Sequence, residues 1–300
     1  MTTMVKKIST IILIFLAIIL VIGVTLYKNT GFLQYKDIDT KDLATFQFDA
    51  EGVRIGGQDL QFNGSKTCWI LIHGYSSTPD ELKQVGMAIN QKFNDTVYIP
   101  RLKGHAMVSS DLEKYTINEW YSQIETIAQY HNCTYILGSS MGASLALKYT
   151  EMHTPTGTIL SGFPTELEPT YMPGWLIEYF IYPLGDYLKK SEPYGTIDDR
   201  NAKINHLSVN NFPLKGVVGL IHFTKDLKAD LQNIHTPVLF IHAKNDQVAT
   251  LAGAKKTFDL LNTTKNFITL EYGNHILFED YNKEQAINAV LVFRENNKPQ

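Results

Sequence analysis

The chain has 300 residues, a length that suits one large domain or two small ones. Apolar residues make up 44% of it and charged residues 19%, which is the balance of a globular protein able to bury a sizeable core. The net charge of −3 and the lack of a basic stripe argue against a nucleic-acid partner, and two cysteines exclude a disulfide-rich scaffold and a cysteine-based zinc site. No metal-ligand spacing occurs among the nine histidines, so we expect no metal site.

The N-terminal region differs from the rest of the chain. The run Ile8–Tyr27 contains no charged residue in 20 positions. As a helix it would be about 30 Å long, the thickness of the hydrocarbon core of a bilayer. A cleaved signal peptide has a similar pattern, with Lys6 and Lys7 before an apolar run, but no clear A-x-A-like cleavage site follows. We therefore expect residues 1–28 to be an uncleaved transmembrane anchor, with a cleaved signal as the alternative.

The orientation of this anchor is less well determined. Lysines lie close to the apolar run on both sides, so the local charge count does not decide it. Because a large C-terminal domain can cross the membrane whatever its charges, we expect a cytoplasmic N-terminal tail and a single-pass protein whose main domain is extracytoplasmic. Residues 29–44 are polar and are expected to form a linker.

From about residue 45 the sequence alternates between strand-like and helix-like segments. Short strands are expected first, at ATFQF and GVRIGG. Apolar runs typical of strands buried on both faces follow as CWILIHG, TVYIP, CTYILG, GTILSG, PVLFIHA and NFITLE. Helical spacing occurs between these runs, for example over Met141–Met152. The alternation predicts an α/β domain at 45–300, with a mostly parallel central sheet flanked by helices.

One segment interrupts this alternation. About 70 residues, from Pro164 to about His235, separate two strand-like runs and include the aromatic-rich stretch YMPGWLIEYFIYPLGDYL. We expect a cap insertion at about 164–235. Two roles are compatible with such a cap, since it can bury its own small core and can also provide an apolar wall for an acyl chain.

The stretch YILGSSMGASLAL joins a strand-like run to a helix-like run. Gly138 and Gly142 lack a Cβ, so they allow a sharp turn and a close approach of neighbouring segments. Ser140 lies midway between them, and we expect its hydroxyl at the apex of the turn, beside the N–H groups of a helix N-terminus. The pattern G-x-S-x-G is typical of a nucleophile. Alone it is weak evidence, because many glycine-serine turns have no catalytic role.

A serine nucleophile requires a base, and the base requires an acid that orients it. Open parallel sheets bind ligands at the carboxyl ends of their strands, so these partners should follow strands. Asp246 follows one strand-like run and His275 follows the next, 106 residues after Ser140 and 29 residues after Asp246. Each alone has an ordinary interpretation as a turn or loop residue, but their joint order predicts a Ser140–His275–Asp246 triad. Rival acids without this placement are Asp226, Glu271 and Asp280.

Five stretches together resemble the carboxylesterase and monoacylglycerol lipase branch of the α/β-hydrolase superfamily. They are LIHGYSSTPDEL, YIPRLKGHA, GSSMGASLAL, LQNIHTPVLFIHAKNDQV and GNHILFED. The resemblance covers about Gly52 to Phe293 and implies an α/β-hydrolase fold. It also implies hydrolysis of short- to medium-chain carboxylic esters or monoacylglycerols through an acyl-serine intermediate, without a cofactor.

On this resemblance, Ser140 is the nucleophile, His275 the base and Asp246 its partner. The oxyanion hole is expected to consist of two backbone N–H groups, those of Tyr75 and Met141.

Other residues near these motifs are expected to have different roles or depart from the family pattern. His73 and His105 are expected to be structural. Asn274 stands where such enzymes often have glycine before the histidine. The cap does not match the family closely enough to identify the substrate.

Three functions therefore remain in competition. The first is a membrane-anchored serine esterase or lipase that acts on a small acyl-ester or lipid substrate. A serine peptidase, thioesterase or acyltransferase would use the same triad. The third is a non-catalytic binding protein on a hydrolase scaffold, which an intact triad disfavours. The sequence determines neither the natural ester nor the oligomeric state.

The family fold also makes the strands that begin near Cys68 and Cys133 neighbours. Neighbouring strands are about 4.8 Å apart, a distance that permits a disulfide. Side chains on paired strands point away from the sheet rather than towards each other, so we favour two buried free thiols and leave the disulfide as the alternative.

Overall fold

We describe the protein from a computed structural model. The described residues are 10–11, 13–18, 21, 33–34, 38–166, 174–184, 186–189, 196–227 and 231–298. Most of the expected anchor at 1–28 lies outside these residues, as does part of the expected linker. Within the described ranges, no helix combines the length and the apolar character that are needed to cross a bilayer.

The described residues contain ten strands. They are β1 (Leu33–Gln34), β2 (Leu60–Phe62), β3 (Cys68–Ile72), β4 (Thr96–Ile99), β5 (Tyr135–Ser139), β6 (Gly157–Ser161), β7 (Tyr187–Lys189), β8 (Asn211–Pro213), β9 (Val238–Ala243) and β10 (Lys265–Leu270). Seven of them form the central sheet, in the order β10-β9-β6-β5-β3-β4-β2. All neighbours in this sheet are parallel except β2, which pairs antiparallel with β4 at one edge. The predicted mostly parallel sheet is confirmed.

The helices follow the strands in alternation. From residue 38 onwards, those in the described residues are α1 (Thr40–Thr45), α2 (Lys83–Phe93), α3 (Ser109–Glu113), α4 (Ile117–Tyr130), α5 (Met141–Met152), α6 (Gly174–Leu176), α7 (Arg200–Asn205), α8 (Leu214–Asp226), α9 (Leu251–Leu260) and α10 (Lys283–Asn296). Shorter helical segments occur at Pro79–Leu82, Ile177–Ile181, Tyr182–Leu184 and Leu231–Asn233. The helix predicted at Met141–Met152 is confirmed.

The central sheet is buried on both faces, as its continuous apolar strands predict. On one face, Trp120 of α4 and Leu145 of α5 pack in a core with Ile136 of β5. On the other face, Val85 of α2 and Val290 of α10 pack in a second core, with strand residues between them. The two cores hold the strands rigidly, so that the loops at their carboxyl ends are well positioned.

The segment before the central sheet differs from the prediction of two short strands. ATFQF overlaps the end of α1, and it meets GVRIGG only through a single bridge between Phe48 and Arg54. Gly52 and Gly56 have φ of 76° and 90°, which interrupts the extended backbone that a ladder requires. The described end of the expected linker forms α1, in which Asp42 is buried.

The cap expected at about 164–235 contains its own small sheet. The strands β1, β7 and β8 form it, in that order and antiparallel, so the N-terminal β1 contributes to it. Ile177, Leu214 and Val218 form a separate apolar core there. The described part of the insertion therefore buries a core of its own.

The two cysteines are joined by a disulfide, so the favoured interpretation of two free thiols is wrong. Their strands are neighbours, as expected, because β3 pairs with β5. Cys133 lies two residues before β5 begins, and the Cα atoms of Cys68 and Cys133 are 4.3 Å apart. Outside the paired register, the side chain of Cys133 is not constrained to stand perpendicular to the sheet.

Candidate active site

Ser140 lies at a sharp turn between β5 and α5. Its backbone has φ 53° and ψ −119°, a conformation that is uncommon for a residue other than glycine. A Cβ at Gly138 would overlap the carbonyl of Gly142, and a Cβ at Gly142 would overlap the carbonyl of Ile72. Glycine at both positions therefore lets α5 begin directly against β3 and β5, with Ser140 at the carboxyl end of the sheet.

Three residues singled out in the sequence form one hydrogen-bonded chain. His275 Nε2 is 2.7 Å from Ser140 Oγ, and His275 Nδ1 is 2.8 Å from Asp246 Oδ2. Ser140 follows β5, whereas Asp246 and His275 follow β9 and β10 of the same sheet. All three are at most 9% exposed. A neutral imidazole fits both contacts, because its Nε2 accepts from the hydroxyl while its Nδ1–H donates to the carboxylate.

The two N–H groups expected for an oxyanion hole come from different loops beside Ser140. Met141 begins α5, where unpaired N–H groups favour a negative charge. Tyr75 follows Gly74, and a Cβ on Gly74 would be only 3.3 Å from the Cβ of Ser140. In the described part of the chain, neither N–H donates to a loop or turn carbonyl. Both N–H groups therefore belong to backbone that adjoins Ser140, and neither is taken up by such a carbonyl.

Comparison with known proteins agrees with this geometry. A sequence profile of the family described as serine aminopeptidase, S33, matches residues 66–282, which include the three residues of the hydrogen-bonded chain. The chain belongs to this family. It is a serine hydrolase of the α/β-hydrolase superfamily, and its resemblance to the carboxylesterase and monoacylglycerol lipase branch is confirmed.

Individual relatives are distant in sequence and close in fold. The chain is 25% identical over 229 residues to a thermostable monoacylglycerol lipase of Bacillus sp. (strain H-257), covering 75% of this chain and 88% of that one. The crystal structure of a monoacylglycerol lipase of Paleococcus ferrophilus matches with a TM-score of 0.70 at 16% identity, covering 80% and 98% of the two chains. A metagenome-derived lipolytic enzyme matches with a TM-score of 0.72 at 20% identity, covering 80% and 98%. These structural likenesses show a shared α/β-hydrolase fold.

The electrostatics of this serine hydrolase couple His275 to Asp246. Burial alone would lower the pKa of His275, but the charge and hydrogen bond of Asp246 outweigh it, with a contribution from Glu81, and the pKa is raised above its usual 6.5. Burial likewise opposes ionisation of Asp246, yet the charge and hydrogen bond of His275 hold the pKa of this carboxyl below its usual range. Each group therefore stabilises the charged form of the other.

The acid is also held by its own loop. Asp246 Oδ1 accepts the backbone N–H groups of Val248 and Ala249 at 2.8 and 2.9 Å, which leaves Oδ2 for His275. His242 Nε2 lies 3.4 Å from Asp246 Oδ2 and 3.1 Å from the Ala249 carbonyl oxygen. The pKa of His242 is lowered, first by its burial and against the charge of Asp246, so burial disfavours a second positive charge beside the acid.

Glu81 contacts the oxyanion loop, and the sequence analysis did not single it out. Its Oε2 accepts the Gly74 N–H at 3.1 Å, and the residue is 1% exposed. The sequence places Glu81 in a helix-like segment, where an acidic residue is ordinarily expected on the solvent side. Only the tertiary structure turns this carboxylate towards Gly74, one residue before Tyr75.

Asn274, noted in the sequence as a departure from the family, links three segments. Its Oδ1 accepts the Gln247 N–H at 3.0 Å, next to Asp246 in the chain. Its Nδ2 donates to Asp198 Oδ1 at 3.0 Å, and Asp198 lies within the cap segment. A glycine could make neither bond, so Asn274 ties the loop of His275 to the loop of Asp246 and to the base of the cap.

Asp280 anchors the same loop from the other side. The sequence analysis considered this residue a rival acid. It is 1% exposed, and among the hydrogen bonds of the described residues none joins its side chain to Ser140 or His275. It instead accepts four backbone N–H groups, at 2.7 to 2.9 Å, from Asn274, Asp198, Asp199 and Tyr281. The carboxylate therefore organises backbone around His275 rather than orienting the imidazole itself.

His73 and His105 are placed as structural residues. His73 Nδ1 contacts the Gly74 carbonyl oxygen at 2.9 Å, and its Nε2 accepts the Leu102 N–H at 3.3 Å. Burial lowers the pKa of His73 to about 4 and also holds the pKa of His105 well below its usual value. The His105 ring packs edge-on against Trp120 at 4.9 Å. Both rings are neutral packing elements beside the oxyanion loop.

Within the described ranges, no group of three or more histidine, cysteine, aspartate or glutamate side chains is arranged to hold a metal ion. The site described above consists of a hydroxyl, an imidazole, a carboxylate and backbone N–H groups. Acyl transfer through a serine uses groups of these kinds.

Proposed function

We propose that this serine hydrolase is a carboxylesterase that cleaves short- to medium-chain acyl esters or monoacylglycerols. The observation that carries the proposal is the unbroken hydrogen-bonded chain from Ser140 through His275 to Asp246. A hydroxyl held 2.7 Å from a neutral imidazole can transfer its proton while it attacks a carbonyl carbon.

In the first half of the proposed reaction, Ser140 Oγ attacks the ester carbonyl and His275 Nε2 takes the hydroxyl proton. The carbonyl oxygen becomes an oxyanion that accepts the N–H groups of Tyr75 and Met141. Asp246 stabilises the imidazolium that has formed. As the tetrahedral intermediate collapses, His275 returns the proton to the leaving alcohol, and the acyl group remains on Ser140.

The second half repeats these steps with water. His275 takes a proton from the water as its oxygen attacks the acyl-serine carbonyl, and the same N–H groups hold the oxyanion. When the bond to Ser140 Oγ breaks, His275 returns the proton to the serine. The products are a carboxylic acid and free enzyme, and no cofactor takes part.

The substrate class rests on relatives and on the cap. The Bacillus and Paleococcus proteins are named monoacylglycerol lipases, and they are similar to this chain in sequence or in fold. The cap reaches the site itself, because the Tyr75 hydroxyl donates to the Pro213 carbonyl at 2.7 Å and Gly216 of α8 lies against the Tyr75 ring. An apolar cap over the oxyanion loop favours an acyl chain over a charged substrate.

The description of the family favours one rival, an aminopeptidase. Both activities use the same triad chemistry, so the site alone does not separate them. Binding the free amino terminus of a peptide would require an acidic group with an open face. Glu81, the carboxylate that contacts the oxyanion loop, is buried and bonded to Gly74 and does not offer one. We therefore place the ester reaction first.

A substrate panel tests this choice. The full chain in mild detergent is assayed with p-nitrophenyl esters and monoacylglycerols of graded acyl length and with aminoacyl p-nitroanilides. We expect turnover of the esters and monoacylglycerols, with an optimum in acyl length, and little turnover of the anilides. A preference for aminoacyl anilides would assign the protein to the rival class.

We further propose that the chain is attached to a membrane by residues 1–28, with the hydrolase domain at 45–300 facing away from the cytoplasm. The support is the uncharged run Ile8–Tyr27. The full chain should stay in the membrane fraction after a carbonate wash, and protease added to intact cells or spheroplasts should reach the domain. A mature N-terminus mapped near residue 28 would indicate a cleaved signal instead.

A further inference from the structure

We propose that the outer face of the cap rests on the surface of a lipid bilayer, held there by the segment that follows the apolar N-terminal run. This inference depends on the proposed membrane attachment. Besides the N-terminal anchor, it adds a contact between the bilayer surface and side chains of the hydrolase domain. This contact determines which side of the enzyme faces the lipid.

The surface in question consists of four aromatic side chains at Trp175, Tyr179, Phe180 and Tyr182, here called the aromatic face. Their exposed fractions are 57%, 64%, 45% and 37%. The rings of Trp175 and Phe180 pack edge to face at 5.9 Å, so the patch is continuous there. Large aromatic side chains exposed together on one short segment mark an interaction surface rather than a folding requirement.

The core of the cap does not need these rings. Ile177 and Ile181 of the same segment point inward and pack with Leu214 and Val218 of α8. The aromatic face is what remains on the outside once that core is complete. Tryptophan and tyrosine combine an apolar ring with a polar tip, which is the composition of the belts that lie at membrane interfaces.

The charge on this segment is neutralised. Glu178 is bonded on one side to His222 Nε2 at 2.8 Å and on the other to Lys225 Nζ at 3.1 Å, both from α8. Its carboxylate therefore turns towards the cap helix and presents no free negative charge to anionic headgroups. The aromatic face can approach a bilayer without an electrostatic penalty from its own segment.

The N-terminal chain is built into this cap. Leu33 pairs with Leu188 and Gln34 with Tyr187, so β1 is an added strand on β7. Leu188 also packs against the apolar core that lies under the aromatic face. Chain leaving the apolar run therefore enters the fold at the cap and not at the central sheet.

The residues after β1 are attached to the cap a second time, by hydrogen bonds. Asp42 of α1 accepts the backbone and side-chain N–H groups of Asn210 at 2.9 and 2.6 Å, and also both the N–H and the hydroxyl of Ser109. The Ile38 carbonyl accepts the Asn211 side chain at 2.6 Å. Since Asn210 and Asn211 belong to the cap, buried polar contacts fasten the N-terminal segment to it.

The length of the connection limits where the cap can lie. Five residues lie between Tyr27, the end of the apolar run, and Leu33 in β1, so six Cα–Cα steps join the two. Six steps span at most about 20 Å when the chain is fully extended. An anchored chain thus holds β1, the strand that pairs with β7 of the cap, within about 20 Å of the bilayer surface. This tether brings the cap, rather than the far side of the central sheet, to the lipid.

Tryptophan fluorescence provides a selective test. The chain has three tryptophans, and Trp69 and Trp120 are fully buried, so only Trp175 can meet lipid. The full chain is reconstituted in vesicles with and without acyl chains brominated near the headgroup. We expect brominated lipid to remove the Trp175 part of the emission and the W175F variant to show no such loss. Unchanged emission in brominated vesicles would overturn the inference.

Two further measurements separate the possible failures. Co-flotation of the full chain with vesicles tests the anchor alone. Flotation without quenching of Trp175 would therefore overturn the lipid contact of the aromatic face but would be consistent with the proposed anchor.

With Tyr179→Ser and Phe180→Ser, we expect a severalfold slower reaction on vesicle-borne monoacylglycerol and an unchanged rate on a soluble short ester. Tyr130→Ser is the matched control, since Tyr130 is 81% exposed at the amino end of the sheet, away from the cap. The inference would also be overturned if Tyr130→Ser slowed the reaction on vesicles as much as the two cap variants do. It would be overturned as well if the wild type self-associated and the two cap variants abolished that association.

Discussion

The carboxyl end of the central sheet and the cap hold their side chains in opposite ways. At the sheet, Ser140, Asp246 and His275 are nearly inaccessible, and each follows a strand with apolar cores on both faces. In the cap, a small core supports an outer segment whose aromatic side chains, such as Trp175 and Tyr179, are more than half exposed. The hydrogen-bonded chain therefore lies on backbone packed between two cores, whereas the exposed aromatic side chains lie on an added layer with a small core of its own. Substitutions in the two regions should accordingly differ in kind.

The largest effect is expected at the nucleophile. Ser140→Ala should keep the fold and lower kcat by a factor on the order of 10⁴ to 10⁶, because removal of a triad nucleophile leaves only binding and the oxyanion hole. The measurement is ester hydrolysis together with a thermal unfolding curve. Ser139→Ala is the matched control. Loss of activity in this control but not in Ser140→Ala would show that Ser140 is not the nucleophile.

Glycines provide the next test of rigidity. Gly142→Ala should unfold or severely destabilise the protein, because its Cβ would overlap the backbone of Ile72. Gly219→Ala in the cap helix α8 should be neutral or stabilising by up to about 1 kcal/mol, since its Cβ would meet only Ile117 at 4.0 Å and alanine favours a helix. Denaturant unfolding measures both. Equal tolerance at the two positions would contradict the proposed contrast.

A smaller effect is expected where the two regions meet. Asn274→Ala removes the bonds to Gln247 and Asp198 and should cost about 1–3 kcal/mol of unfolding free energy, with a lower kcat because the loop of His275 shifts relative to that of Asp246. Kinetics and unfolding on the same preparation check this. Asn282→Ala is the control, because Asn282 is only half-buried and its Nδ2 donates to the Tyr272 carbonyl, outside the loops of His275 and Asp246. An Asn274→Ala enzyme with unaltered kcat would show that the link to the cap is dispensable.

The smallest effect concerns pH. His275 acts as a base only when it is neutral, and its pKa is raised above 6.5, so activity should fall as the pH drops through a value above the usual one for histidine. The charge of Glu81 contributes to this rise. Glu81→Gln keeps an acceptor for the Gly74 N–H and removes the charge, so the acid limb of kcat/KM should move to lower pH. A limb that stays in place or moves to higher pH would contradict the assigned role of Glu81.

The sheet and the proximity of Ser140, His275 and Asp246 could be predicted from sequence because their signals are local. Continuous apolar runs indicate buried parallel strands, and Asp246 and His275 each directly follow such a run. The glycines around Ser140 are likewise local, since they are required within one turn.

Contacts that depend on distant segments could not be predicted. Glu81 has the pattern of a helix residue, and only the packing of its helix turns it towards Gly74. Asn274 was noted as a departure, but its partners Gln247 and Asp198 are 27 and 76 residues away. The pairing of β1 with β7 joins segments more than 150 residues apart, and the two-residue β1 has no periodicity to detect.

Covalent labelling tests the central claim, that Ser140 is the nucleophile, most directly. The full chain is treated with a fluorophosphonate, and intact mass spectrometry with peptide mapping locates the adduct. We expect a single adduct on Ser140, formed faster as the pH rises through the pKa of His275, and no adduct on the Ser140→Ala variant. An adduct on another residue, or none on a folded wild-type protein, would contradict the proposed mechanism.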